Sequence, residues 1–387
     1  MIAHLSANRR RLSAVAAALL LVATSYAQQN TSAKATDPQP LFANNTQGYA
    51  CFRIPALIRT SRGTLLAFAE ARRNNCADFG DVRIVMRTSR DDGRTWTPLV
   101  TVAENGTLQA GNPAPVVDRT DKRYPHGRIF LVYCTGDAPE DAVMRGQGSR
   151  RIWYRTSTDD AATWSTPVEI TQSTKLPTWR HYATGPGHAL QLTQGPHAGR
   201  LFVAANHSEG DPQPNGHDYY AHAFYSDDHG ATWHLSPTVD YPGSNESTAA
   251  QNSAGDIVMN IRDQSKQSRA RIIAISHDAG STWNKTFVAH DLPDPVCEGS
   301  MIGYRDRQHS VLLFSNAGNT TQRADLTLSV SRDGGLTWPS RTLVAPGPAA
   351  YSDIAPINKT DLGILWEKGN SGGIFFMAYP VASLLHD

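Results

Sequence analysis

Among 387 residues there are only four cysteines, and no two are spaced as C-x-x-C, which removes the usual zinc-ribbon and thioredoxin-like readings. Fourteen histidines are present without any H-x-x-x-H or H-E-x-x-H spacing. The pattern that sets two imidazoles on one helix face for a metal is therefore missing, and no metal or cofactor is expected. Net charge at pH 7 is +1 and no basic run follows Arg11, so nucleic acid is not an expected partner. Beyond Val22 no apolar stretch is long enough to span a bilayer, and no amphipathic helical periodicity stands out. Cys51, Cys76, Cys134 and Cys297 allow three complete pairings. Buried free thiols are equally compatible with a chain of this size.

What the chain has in abundance is one phrase. Ser-x-Asp-x-Gly-x-Thr-Trp recurs five times, as SRDDGRTW from Ser89, STDDAATW from Ser157, SDDHGATW from Ser226, SHDAGSTW from Ser276 and SRDGGLTW from Ser331. Only the second copy departs, with Ala161 in the glycine position. Each copy has the chemistry of a hairpin turn. Its Asp (Asp91, Asp228, Asp278 and Asp333 among them) accepts hydrogen bonds from nearby backbone N–H groups, the Gly tolerates φ > 0, and the Trp anchors the next strand. Five of the eight tryptophans sit in these copies and are read as structural.

Between the turns lie short apolar runs of strand length, such as Leu65–Ala69, Arg128–Tyr133, Leu201–Ala204, Arg271–Ile275 and Val311–Phe314. Two or three such runs per turn imply four-stranded antiparallel sheets. Residues 41–387 divide into six units of about 58 residues, the size of a propeller blade with its loops. The expected fold is thus all-β, a six-bladed β-propeller in which one blade has lost the turn. The segment 28–40 (QQNTSAKATDPQP) reads as a disordered lead-in. Ahead of it, Arg9–Arg11, the short apolar run Leu12–Val22 and Ser25-Tyr26-Ala27 have the layout of a signal peptide at residues 1–27. The expectation is an exported protein, periplasmic or secreted.

A second signal is more specific. Residues 51–59, CFRIPALIR, contain Phe-Arg-Ile-Pro. This motif, together with the repeated turns known as Asp boxes, resembles exo-α-sialidases (neuraminidases) of the bacterial type, and the two features together span nearly the whole mature chain. The resemblance implies three arginines gripping a sugar carboxylate, which map to Arg53, Arg262 and Arg323, with Glu367 supporting the first. It implies Tyr351 as nucleophile, Glu246 as its partner and Asp78 as acid/base, with Asp81 as the rival. Arg72 and Asn112 are further pocket candidates. Trp179 and the loop Thr184–Gly187 are expected to wall the side that takes the sugar's substituents, and Asp118 is read as structural. The chemistry is coherent. A guanidinium fork suits a carboxylate, and a neutral phenol avoids the repulsion an anionic nucleophile would meet beside it. Glu246 and Arg262 are sixteen residues apart, as are Tyr351 and Glu367.

The resemblance implies retaining hydrolysis of terminal sialic acid from glycoproteins, glycolipids or oligosaccharides, with sialylated glycoconjugates as partners and no obligatory protein partner. Two alternatives use the same residues or the same turns. One is transfer to another sugar or to the substrate's own hydroxyl, a trans-sialidase or intramolecular trans-sialidase. The other is a non-catalytic sugar-binding propeller.

Overall fold

The structure is a computed structural model that describes residues 34–385. The expected signal peptide lies outside the described residues, as does the first part of the lead-in. The described chain is built almost entirely of strands. A short strand β1 (Gln39–Phe42) precedes a run of β2 (Cys51–Arg59), β3 (Leu65–Arg72), β4 (Val82–Ser89) and β5 (Val100–Ala103). There follow β6 (Gln109–Asp118), β7 (Arg128–Gly136), a one-turn helix α1 (Glu140–Met144), β8 (Arg150–Ser157) and β9 (Val168–Glu169). The third run holds α2 (Thr171–Thr174), β10 (Trp179–Thr184), β11 (Leu190–Gln191), β12 (Leu201–Glu209), β13 (Tyr219–Ser226) and β14 (His234–Leu235). Next come β15 (Ser244–Gln251), β16 (Ile257–Asp263), β17 (Ala270–Ser276) and β18 (Lys285–Pro293). They are followed by β19 (Gly299–Arg305), β20 (Ser310–Ala317), β21 (Ala324–Ser331) and β22 (Ser340–Pro348). The last run is β23 (Ser352–Pro356), β24 (Asp361–Glu367) and β25 (Ile374–Pro380).

Within each run the strands pair antiparallel, β10 and β11 both with β12, giving a propeller arrangement. The expectation of six separate four-stranded sheets needs correction. Hydrogen bonding divides the strands into five sheets: three of four strands, one of five and one of eight. The eight-stranded sheet joins β2–β5 to β6–β9 through a single parallel pair, Val82 with Gln109. The lead-in is corrected as well. Gln39 and Pro40 belong to β1, which pairs with β25, and the Thr36 amide donates to the Ala378 carbonyl. The final sheet thus takes its outer strand from the start of the chain.

This explains the five turn copies. Each joins the last two strands of its run, as between β4 and β5 or between β21 and β22. The last sheet has no such connection to make. All five turns share one network. The Ser hydroxyl and the Thr amide donate to one Asp oxygen, and the Thr hydroxyl donates to the other. The Gly amide, or that of Ala161, donates back to the Ser hydroxyl.

Position in a run determines burial. The inner strand β2 is buried at eight consecutive positions, whereas the outer strand β22 alternates between half-buried and exposed. Apolar clusters fill the space between neighbouring runs, including Phe130, Val203 and Trp233 between the second and third, and Leu313, Ile364 and Trp366 between the fifth and last. Trp96 of the first turn packs edge-on against Phe376 of β25 at 5.1 Å between ring centroids, so the last run is packed onto the first. Each such ring removed from water contributes about 1.5–3 kcal/mol. Cys51 and Cys76 form a disulfide, and Cys134 and Cys297 are free and buried. Among the described residues no helix is long and apolar enough to cross a membrane.

Candidate active site

Four inner strands lose register at the same end of the ring. In β2 two residues, Ile54 and Pro55, stand opposite one of β3. In β6 it is Asn112 and Pro113, in β10 Arg180 and His181, and in β15 Asn245 and Glu246. Each insertion is a β-bulge, which bends the strand and re-aims its side chains. Ile54 and Asn112 take φ values of 58° and 54°. A branched residue such as Ile54 adopts that conformation only when its surroundings enforce it.

Buried carboxylates supply the enforcement, in the same way twice. Glu367 accepts from the Ile54 amide at 2.8 Å and from the Arg53 guanidinium at 2.9 and 3.1 Å. Glu70 accepts from the Asn112 amide at 2.8 Å and from the Arg72 guanidinium at 2.7 and 3.1 Å. One acid therefore pins a strained turn and fixes a two-pronged cation beside it. Arg72, expected on a loop, is the last residue of β3.

These elements enclose a cavity of about 450 Å³, lined by Arg53, Arg72, Asp78, Asn112, Glu246, Arg262, Arg323 and Tyr351 among others. Arg53, Arg262, Arg323, Tyr351, Glu246, Asp78, Arg72 and Asn112 thus converge, and Glu367 stands directly behind Arg53. A larger cavity of about 790 Å³ lies at the opposite ends of the same inner strands. Its wall is largely apolar, with Leu57, Val116, Ala249, Met301 and Ile354, and its titratable groups are Arg59, Arg119 and His188.

Tyr351 is the hub. Its hydroxyl donates to Glu246, lying 2.7 Å from both carboxylate oxygens, and accepts from Arg262 at 2.9 Å. Arg262 in turn pairs with Glu246 at 2.5 Å. The Arg53 and Arg323 guanidiniums sit 5.0 and 5.3 Å from the phenol ring centre. Both sixteen-residue spacings are hairpins: Glu246 and Arg262 meet across β15 and β16, and the Glu367 amide donates to the Tyr351 carbonyl at 2.9 Å. Of the arginines near Arg323 in sequence, Arg269, Arg305 and Arg307 are exposed and do not line the cavity.

Burial pushes the Tyr351 phenol well above its ordinary pKa, and Glu246 adds to the rise against the pull of Arg262, Arg323 and Arg53. For Arg53 and Arg262, burial opposes the charge, but Glu367 and Glu246 respectively outweigh it, so both remain cationic. Asp78 has an outer face open to solvent. Desolvation at the cavity mouth raises its pKa, but Arg72 at 2.7 Å and Arg53 at 3.8 Å outweigh this and hold the carboxyl below the usual carboxylate range. Asp81 instead pairs with Arg73 and Arg83 and stays off the cavity wall.

The far side of the cavity contains residues the sequence did not single out. Glu140 of α1, Arg150, His181 and Asn206 line it. Tyr219 donates to Glu140, burial lowers the His181 pKa to about 4, and neither polar atom of the Asn206 side chain has a partner. Their signal was weak because each sits alone in an apolar or loop context. Trp179 does not wall the cavity as expected. It is buried, stacks on His207 at 3.5 Å and donates to Glu209. Asp118, Asp121 and His229 cluster closely elsewhere. Asp118 serves Thr120, Gln191 and His229, and Asp121 serves Arg123 and Arg128, so the cluster is already satisfied within the fold.

A propeller of Asp-box turns enclosing a tyrosine–glutamate couple among arginines defines a class, and the comparisons agree with it. The family model described as BNR repeat-like domain matches residues 63–364. The chain is 32% identical to a sialidase of Micromonospora viridifaciens over 365 residues, 89% of this chain and 54% of that protein. It is 30% identical to an exo-alpha-sialidase of Aspergillus fumigatus, over 74% of this chain and 69% of that one. The chain belongs to the sialidase family. Among solved structures, Hadza microbial sialidase Hz136 superposes with a TM-score of 0.77 at 26% identity, covering 90% of this chain and 69% of that one. The intramolecular trans-sialidase of Ruminococcus gnavus shares the fold, with a TM-score of 0.75 at 16% identity, 90% of this chain and 98% of that one. The chain spans 54% and 60% of the length of two bacterial sialidases it matches.

Proposed function

We propose that the chain is an exported, retaining exo-α-sialidase that releases terminal sialic acid from glycoproteins, glycolipids or oligosaccharides. The observation that carries this reading is the Tyr351 hydroxyl, 2.7 Å from Glu246 and surrounded by Arg53, Arg262 and Arg323. Three guanidiniums suit the carboxylate on the anomeric carbon, and each charge-assisted bond contributes about 1.5–3 kcal/mol. The reactive carbon then lies over the phenol.

In the first half-reaction the Tyr351 oxygen bonds to the anomeric carbon and its proton passes to Glu246. The bond to the aglycone breaks as Asp78 gives its proton to the leaving oxygen. In the second, water loses a proton to Asp78 and attacks the same carbon. The tyrosyl bond breaks and the phenol recovers its proton from Glu246. Two inversions give net retention. Glu367 and Glu70 act by holding Arg53 and Arg72 in place. Around the phenol, Arg53, Arg72, Arg262 and Arg323 face Glu70, Asp78, Glu246 and Glu367. A substrate carboxylate entering this balanced set adds a negative charge. Asp78, the outermost acid, is displaced from the arginines and takes up the proton it must donate.

Export is supported by the leader-like residues 1–27 and by the Cys51–Cys76 disulfide, which suits an oxidising compartment. The test is release from a 4-methylumbelliferyl sialoside with product analysis by mass spectrometry. Free sialic acid is expected. An anhydro sugar or a sialylated acceptor would replace hydrolysis with transfer, and no release between pH 4 and 8 would leave a binding propeller.

A further inference from the structure

The disulfide joins two parts of the cavity that lie on different elements. Cys51 opens β2, two residues before Arg53. Cys76 lies on the segment 73–81 between β3 and β4, two residues before Asp78. Cys51 is fully buried within the sheet, whereas residues 73–78 are exposed and carry no regular secondary structure. The crosslink thus fastens the only irregular piece of the cavity wall that bears an expected proton donor to the strand that bears the first carboxylate-binding arginine.

The other attachments of this segment make the crosslink more important. Among the described residues, the polar contacts that tie residues 74–79 to the rest of the protein converge on two side chains. Arg72 donates to the Cys76 carbonyl at 2.6 Å and pairs with Asp78 at 2.7 Å, while Arg53 approaches Asp78 at 3.8 Å. Both ion pairs are made by guanidiniums that face the cavity. An anionic substrate competes for them, and it does so when Asp78 must be protonated and hence uncharged. The electrostatic hold on the segment therefore weakens at the moment its position matters most. What remains on residues 74–79 is the disulfide and the Cys76 carbonyl contact, while the base of the segment stays closed by Arg73 and Asp81.

We infer that the Cys51–Cys76 disulfide is a positioning element for the reaction, holding Asp78 over the leaving-group oxygen once the substrate carboxylate has taken its place at the arginines. The inference rests on the sialidase reading above and adds to it a part that the chemistry needs only for certain substrates. A poor leaving group, the sugar hydroxyl of 3′-sialyllactose, requires proton donation. A good one, the phenol of 4-nitrophenyl sialoside, departs with little help.

The experiment compares wild type with the double variant Cys51→Ser/Cys76→Ser on these two substrates, at a temperature where circular dichroism shows both folded. The expected result is a fall in kcat/KM, which reports the first half-reaction alone, of about 100-fold on 3′-sialyllactose and of less than about 5-fold on the nitrophenyl substrate. In an Asp78→Ala background, removing the disulfide produces no further loss on 3′-sialyllactose, because the crosslink acts through Asp78. Should the double variant not fold, folded wild type is assayed before and after dithiothreitol, and again after reoxidation, with the same selective loss and recovery expected. Equal losses on both substrates, or a further loss in the Asp78→Ala background, would overturn the positioning role and leave the sialidase reading standing. Failure of wild type to release sialic acid from either substrate would overturn that reading and the inference with it.

Discussion

In the five Asp-box turns the same hydrogen bonds recur copy after copy, from Ser89 to Trp96 and again to Ser331–Trp338. At the cavity the inner strands do the reverse: β2, β6, β10 and β15 each break their ladder by one residue, and what fills the break differs every time. The turns use local bonds between residues four or fewer positions apart. Two of the bulges are instead held by acids distant in sequence, Ile54 by Glu367 and Asn112 by Glu70. Regularity at the turns gives a scaffold that tolerates irregularity at the mouth, and the irregularity places the chemistry.

That contrast can be attacked at either end. The largest effect is expected at the hub. Tyr351→Phe should lower kcat by on the order of 10³-fold or more while leaving the melting temperature nearly unchanged. A melting temperature that collapsed with activity would make Tyr351 part of the scaffold instead. Glu367→Ala belongs to both regions, because it removes the acceptor for the strained Ile54 amide and the counter-charge of a buried arginine. A loss of about 3–5 kcal/mol in denaturant unfolding is expected, with kcat/KM down about 100-fold. Glu367→Gln, which keeps an oxygen for Ile54, should recover part of the stability but little of the kcat/KM.

At the turns the prediction reverses, with stability lost and kinetics kept. A methyl group on Gly280 would meet the Phe202 ring at 2.5 Å, at φ +89°. Gly280→Ala should therefore cost about 2–4 kcal/mol with kcat unchanged. A subtler test is pH. Arg72 and Arg53 depress Asp78 in the empty site, against the opposing pull of desolvation, and a bound carboxylate relieves that depression. The acid form is the working form in the first half-reaction, so that step slows as pH rises through the Asp78 pKa. On 3′-sialyllactose, where that step limits, the descending limb of kcat should thus lie at higher pH than that of kcat/KM. Coincident limbs in the two profiles would remove the charge exchange. The smallest effect is at Ala161, the departure in the repeat, whose φ is 67° and whose side chain is 6% exposed. In Ala161→Gly, relief of about 1 kcal/mol of strain is offset by loss of a buried methyl, so unfolding should move by no more than about 0.5 kcal/mol.

The turns were readable because their determinants are contiguous: Ser, Asp, Gly and Thr lie within one phrase. The candidate site was readable only through resemblance, since Tyr351 and Glu246 are 105 residues apart. The bulges were not readable. The segment CFRIPALIR is buried at nearly every position, so no alternation exists whose interruption could mark the extra residue. Glu70 was hidden similarly, as the acid of two charged residues in the fully buried LLAFAEAR. The number of separate sheets depended on a single parallel pair, Val82 with Gln109, and β1 was lost to a polar, proline-containing stretch that resembles a linker. Nor did spacing choose among the cysteine pairings, which were decided by the meeting of β2 with the Asp78 segment.

The placement of Gln39–Phe42 beside β25 has a temporal consequence. Gln39 leaves the ribosome long before its partner Phe376. Until β25 has been made, the final sheet lacks its outer edge and the first and last runs cannot interlock. Contacts this distant along a polypeptide form slowly. Joining of the first run to the last therefore waits for β25, whatever has folded before it.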